Sequence, residues 1–219
     1  MHYLKRNKDL IFLTLVLIPA FYMDKSIISW VKEHCIYQDD SWYLPIDYLV
    51  KFSTNGATLI LFSLLVFLGT RWAGNSPKMN TLKISPLNMN RLNRTGMVVF
   101  TGLISAGIAV QGLKHILGRA RPRMTFDTLF TGPSMSADYD SFPSGHSTLV
   151  FCLACILSRC YPRYQAFFYL FAVMAGLDRI IGLSHFPSDV LAGAILGTVV
   201  GKIVLAQTAK GCETPGLRS

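Results

Sequence analysis

Six apolar runs divide this chain: Leu10–Met23, Ala57–Thr70, Thr95–Leu113, Ser147–Leu157, Tyr164–Leu177 and Val190–Ala206. A helix that crosses a bilayer needs about 20 residues, within a range of roughly 17–25. Backbone in hydrocarbon must satisfy its own polar groups, so runs of this kind fold as helices. Several reach spanning length only by borrowing flanking Ser, Thr, Tyr and Trp, and Ser147–Leu157 is the shortest. Charged residues make up 15% of the chain, against about 25% in soluble domains, too few to coat a soluble globule. The expected fold class is all-α: a polytopic membrane bundle of six transmembrane helices, with residues 1–219 as one domain. Lys5, Arg6 and Lys8 precede the first run as in a signal peptide, but no small-residue cleavage site follows, so a retained first helix is expected.

Charge placement orients the bundle. With the N-terminus inside, Lys5, Arg6 and Lys8 share that side with Arg71, Lys78, Lys83, Arg91 and Arg94, then Arg159 and Arg163, then Lys210 and Arg218. The first outside loop carries Asp24, Glu33, Asp39, Asp40 and Asp47 against Lys25, Lys32 and Lys51. This follows the positive-inside rule. One outside segment breaks it: Lys114, Arg119, Arg121 and Arg123 crowd the outer end of the third helix, and binding an anion is a good reason for them. The net charge of +9 and the lack of any Asp or Glu from Arg71 to Phe126 suit lipid headgroups, phosphates or nucleic acid. No zinc-finger, basic-zipper or RNA-binding pattern accompanies them, which sets nucleic acid aside.

Other features have plain structural readings. Ser26–Phe52 mixes Trp30, Tyr37, Trp42, Tyr43 and Tyr48 with charges, as a segment lying along the outer interface does, or an ordinary extramembrane loop. Gly193, Gly197 and Gly201 form a small-residue stripe for close helix packing. Five cysteines, an odd number, do not read as a disulfide framework. Cys152 and Cys155 read as small buried thiols.

The chemistry lies in three clusters that this topology brings to one face: Lys114 through Arg121-Pro122, then Pro143-Ser144-Gly145-His146, then Arg179, His185 and Asp189. Phosphoryl transfer spreads charge over three equatorial oxygens, and catalysis of it is mostly positioning and electrostatic stabilisation. Lys114, Arg121 and Arg179 supply fixed cations, and arginine adds a planar fork that holds two oxygens. Pro143 suits a helix start, where free N–H groups of Gly145 and His146 can meet an anion and Ser144 can donate a hydroxyl. Asp189 follows His185 by four residues and can hold one ring nitrogen, leaving the other as a nucleophile. His146 is then the acid that protonates the leaving oxygen. Singly, each feature is commonplace: Ser-Gly is a frequent turn, His with Asp four residues on is a frequent helical pair, and Arg-Pro ends many helices. Together, on one membrane face, they read as function, because ionisable groups in a membrane are costly. A metal set of His146, His185 and Asp189 is the competing reading, and the surrounding cations oppose it.

These clusters resemble the type 2 phosphatidic acid phosphatase family, whose pattern is K-x6-RP, PSGH and SR-x5-H-x3-D. The resemblance covers about the last half of the chain. It implies a phosphohistidine on His185, an acid at His146, orientation by Asp189, phosphate contacts from Lys114, Arg121, Ser144, Gly145 and Arg179, and no metal or other cofactor. One position departs: Asp178 replaces the serine before Arg179, where it can pair with that arginine or weaken phosphate binding. Similar soluble acid phosphatases and vanadium haloperoxidases share the motif, and the apolar helices argue against both. The expected activity is that of a metal-independent lipid phosphatase of the bacterial inner membrane with its site facing the periplasm. Its substrate is a lipid A phosphate, phosphatidylglycerol phosphate, undecaprenyl pyrophosphate or phosphatidic acid. A lipid-to-lipid phosphotransferase and a non-catalytic phospholipid-binding protein are the alternatives.

Overall fold

A computed structural model describes residues 8–35, 55–74, 86–128 and 130–208. Its helices are α1 (Lys8–His34), α2 (Gly56–Gly74), α3 (Pro86–Leu117), α4 (Gly145–Cys160), α5 (Gln165–Ile181) and α6 (Pro187–Gln207). Each of the six apolar runs lies in one of them, save that Tyr164 of the fifth belongs to a 3-10 turn, Pro162–Tyr164, just before α5. Segments of α1, α3 and α6, and Pro162–Ile181 with α5, are long and apolar enough to cross a membrane, whereas α2 and α4 are shorter apolar helices. The fold is all-α, as expected, with Leu65, Phe62, Phe167, Leu170 and Met174 turned outward. Such apolar exteriors suit a molecule whose solvent is lipid.

Helix α4 sits at the centre, packed against α3, α5 and α6, with α1 on the far side of α6 and α2 against α3. Val98, Leu103 and Ala106 of α3 meet Leu149, Cys152 and Ile156 of α4, and Val204 of α6 joins them. Val150 and Ala154 on another face of α4 pack on Ala172 and Ala175 of α5. The glycine stripe makes the α4–α6 approach possible. A Cβ on Gly197 would lie 2.1 Å from the Thr148 carbonyl oxygen and 2.9 Å from Cys152 N. Cys152 and Cys155 are buried and form no disulfide, while Cys160 is disulfide-bonded, which the odd cysteine count gave no reason to expect.

The first helix departs from the expected boundary. It does not end at Met23 but runs on to His34, so Asp24 is a helical residue, fully buried, rather than part of an outer loop. Residues 26–34 of the aromatic segment are therefore helix and Cys35 is a turn, and residues 36–52 lie outside the described residues. The loop from Gly118 to Ser144 folds back on this extension. Lys25 pairs with Asp127 at 3.3 Å, and Lys32 sits 4.7 Å above the Phe126 ring. Of the inside basic residues, Lys5, Arg6, Lys78, Lys83, Lys210 and Arg218 also lie outside the described residues.

Candidate active site

Three helix ends meet at one end of the bundle: the C-terminal ends of α3 and α5 and the N-terminal end of α4. The N-terminus of α6 stands beside them. Gly118, at φ +50°, closes α3 by donating its N–H to the Lys114 carbonyl, a left-handed cap that favours glycine. Its own carbonyl accepts from Thr131 N at 2.7 Å, which anchors the returning loop under the site.

Lys114, in the last turn of α3, is nearly buried, and its Nζ lies 3.3 Å from Asp140 Oδ2. Arg121 binds the same carboxylate through Nε, at 3.0 Å, and Nη2, and donates from Nε to the Ala137 carbonyl as well. Asp140 thus ties two cations from opposite ends of the K-x6-R segment into one cluster. Burial works to raise its carboxyl, but Lys114 and Arg121 outweigh that and hold it below its ordinary value.

Ser144 is the N-cap of α4. Its Oγ accepts from Ser147 N at 3.4 Å and from Ser147 Oγ at 3.0 Å, so the hydroxyl proton is the part left for a ligand. Its backbone N–H donates to the Asp189 carbonyl at 3.0 Å, joining the starts of α4 and α6. In the first turn of α4, backbone N–H groups have no partner within the helix, and Gly145 and His146 occupy that turn. Lys114 packs on Gly145: its Nζ would be 3.8 Å from a Cβ there. The His146 imidazole is electrostatically coupled to Arg179, Lys114 and Arg121, and to His185 whenever that ring is protonated. These groups are thus within electrostatic reach of one ring.

Arg179, in the last turn of α5, is nearly buried and pairs with Asp178 through Nη2. The departure from the family pattern thus falls on a contact that holds this arginine. The Arg179 carbonyl accepts from Ser184 N and His185 N at 3.0 and 3.2 Å. Leu183 turns through φ 46°, a left-handed conformation that costs a branched side chain energy. That turn carries His185 from the end of α5 into the site.

His185 has a nearer partner than the one the spacing suggests. Its Nδ1 lies 2.8 Å from the main-chain oxygen of Ser141 and 3.7 Å from Asp189 Oδ2. Asp189 is nearby as a charge, but the carbonyl is the hydrogen-bond acceptor. Asp189 Oδ2 accepts instead from Ser141 Oγ at 2.6 Å and from Phe186 N at 2.8 Å, the latter capping α6. Burial pushes the His185 imidazole below its ordinary value of 6.5; Asp189 opposes this, and Lys114 and Arg121 add to it.

Three residues of this site were not singled out by sequence reasoning: Asp24, Asp140 and Ser141. Arg119 was grouped with the anion-binding cations, and the structure corrects that. It is fully buried and pairs with Asp24 and Asp189, so two carboxylates already take its charge. Arg123 likewise pairs with Asp138 at 3.3 Å, on the surface. The signal for Asp24 was present: an acid at the edge of an apolar run is a functional-site candidate by default.

Beside the cluster, between α2, α3 and α4, opens a cavity of about 850 Å³. Lys114, Gly145 and His146 border it, and Gly56, Ala57, Ile60, Ile104, Ile108 and Leu149 supply apolar walls. From Lys114 to Ile104 it follows α3 for about 15 Å, at 1.5 Å per residue.

The sequence profile of the PAP2 superfamily matches residues 95–211. The chain is 34% identical over 146 residues to a lipid A 1-phosphatase of Rhizobium etli, covering 65% of this chain and 62% of that one. It is 31% identical over 159 residues to a lipid A 1-phosphatase of Rhizobium johnstonii, covering 70% and 64%. The chain thus spans a little under two thirds of the length of these relatives. Its fold resembles the crystal structure of a transmembrane PAP2 type phosphatidylglycerolphosphate phosphatase from Bacillus subtilis. That match has a TM-score of 0.56 and 19% identity, and covers 95% of this chain and 98% of that one.

Proposed function

Because this chain belongs to the PAP2 superfamily, we propose that it is a metal-independent lipid phosphatase, working as one integral-membrane domain through a phosphohistidine on His185. The observation that carries the reading is the state of that ring. A carbonyl can only accept, so the 2.8 Å contact to Ser141 O puts the proton on Nδ1 and leaves Nε2 as a lone pair. The lowered affinity of this imidazole for protons keeps it neutral near pH 7.

The reaction runs in two balanced steps. His185 Nε2 attacks phosphorus; the P–N bond forms as the bond to the lipid oxygen breaks, and His146 gives that oxygen a proton. His146 then takes a proton from water, the water oxygen attacks phosphorus, the P–N bond breaks, and inorganic phosphate leaves. Lys114, Arg121 and Arg179 neutralise the equatorial oxygens, and the N–H groups of Gly145 and His146 with the Ser144 hydroxyl complete their cradle. Asp189 holds Ser141 and lends its charge to the imidazolium side of the ring.

An apolar cavity that starts at Lys114 and His146 supports a lipid as the phosphate's carrier, since it accepts acyl chain while the headgroup meets the cations. Among lipid phosphates, the names of the two Rhizobium relatives favour lipid A carrying a 1-phosphate. Charge placement in the sequence favours the periplasmic face of the inner membrane for the site. Purified in detergent, the wild type should release phosphate from lipid A 1-phosphate with EDTA present, and His185→Ala should release none. Full activity in that variant would falsify the mechanism, and a panel of phosphatidic acid, phosphatidylglycerol phosphate and undecaprenyl pyrophosphate ranks the substrates.

A further inference from the structure

Arg119 is the largest fully buried side chain of the described residues, and it is charged. Its Nη1 donates to Asp189 Oδ1 and to Ser188 Oγ, the latter at 2.7 Å, and its Nη2 donates to Asp24 Oδ2 at 2.7 Å. Phe21, Phe130, Phe142 and Phe186 stack around the guanidinium, with Phe186 closest at 4.3 Å. Asp24, on α1, is equally buried; its Oδ1 accepts from Ser188 N at 2.9 Å and its Oδ2 also accepts from Ser188 Oγ. A charge is desolvated at high cost and held so only for a reason. Simple helix packing gives none, since apolar side chains of similar size would fill this space.

The reason lies in what the fork does to Asp189. The terminal torsion of an aspartate is soft, so a carboxylate rotates unless both oxygens are held. Arg119 takes Oδ1, and only then is Oδ2 presented to Ser141 Oγ and Phe186 N, facing His185. Arg119 also grips the same loop by its backbone: its carbonyl accepts from Ser141 N at 3.0 Å, the residue whose own carbonyl holds His185 Nδ1. We propose that Asp24 and Arg119 form a positioning unit in which α1 reaches the reaction centre, Asp24 fixing the guanidinium that clamps Asp189 and, through Asp189 and Ser141, the ring of His185. The proposal rests on the reading of His185 as nucleophile.

Three variants of the full chain, assayed in detergent on lipid A 1-phosphate, test it: Asp24→Asn, Asp189→Asn and the two combined. Asp24→Asn should lower kcat roughly tenfold, as a small misplacement of a reacting group does, with KM changed by less than about twofold. In the Asp189→Asn background, Asp24→Asn should cost nothing further, because residues acting as one unit are non-additive. Ser188→Ala keeps both charges and removes only the hydroxyl between them; it serves if Asp24→Asn fails to fold, and its smaller kcat loss should vanish in the same background. Losses that multiply, or an unchanged kcat in Asp24→Asn, overturn the positioning unit while leaving the nucleophile reading intact. Full activity in Asp189→Asn alone likewise overturns the unit, whereas the nucleophile reading fails only if His185→Ala keeps its activity.

Discussion

His185 gives its Nδ1 proton to the main-chain oxygen of Ser141, 2.8 Å away, and not to the carboxylate of Asp189, which lies 3.7 Å off. A backbone acceptor fixes the tautomer without depending on a side chain's ionisation. The consequences for mutation differ from those of a histidine held by an aspartate alone.

In a serine-protease triad, replacing the aspartate lowers kcat about 10⁴-fold because the wrong tautomer follows. Here Asp189→Asn should leave the tautomer intact, so a loss of roughly 10²-fold is expected, while His185→Ala abolishes turnover. Phosphate-release rates of the two variants on one lipid phosphate check this. An Asp189→Asn loss as deep as that of His185→Ala would show that the carboxylate, not the carbonyl, governs the ring.

The pH profile follows from the sign of the His185 shift. Only the neutral imidazole attacks, so activity is present above its pKa and lost as pH falls through it. Burial first, then Lys114 and Arg121, place that pKa below 6.5, against the opposing pull of Asp189. The acid limb of kcat/KM, which reports the free enzyme, is therefore expected below pH 6.5. Asp189→Asn removes the opposing pull and should move the limb further down; an upward move contradicts the assignment.

Asp140 pairs with both Lys114 and Arg121. A phosphate dianion arriving at those cations meets its negative charge. Asp140→Asn should strengthen inhibition by inorganic phosphate a few-fold, the scale of a partly buried ion pair. It should also lower kcat, since the two cations lose their common tether. Inhibition constants at two ionic strengths measure the first effect, which salt should diminish.

Packing at the α4–α6 contact sets a limit on size. Gly197→Ala places a methyl 2.1 Å from the Thr148 carbonyl oxygen, so the helices must part, at a cost of about 1–3 kcal/mol or more. Because Thr148 follows the first turn of α4, the site should loosen with it. Thermal melts in detergent should show Gly197→Ala well below wild type and Gly69→Ala, where a Cβ meets nothing within 4 Å, unchanged or slightly higher.

What could be read along the chain was whatever repeats or clusters locally. Hydropathy is a property of consecutive residues, so the six helices were legible, though not the end of α1: after Asp24 a helix of mixed polarity looks like a loop. The spacing of Lys114 with Arg121, of Ser144 with His146, and of His185 with Asp189 was legible for the same reason, as was the glycine stripe. The tertiary structure alone decided the partners. Asp24 and Arg119 stand 95 residues apart and His185 and Ser141 stand 44 apart, and nothing in a one-dimensional pattern ranks such pairs. The Ser141 acceptor is a carbonyl that every residue possesses, so no side-chain signature marks it. Arg119 looked like its neighbours Arg121 and Arg123 because charge is visible in a sequence, whereas the direction in which a helix end turns it is not.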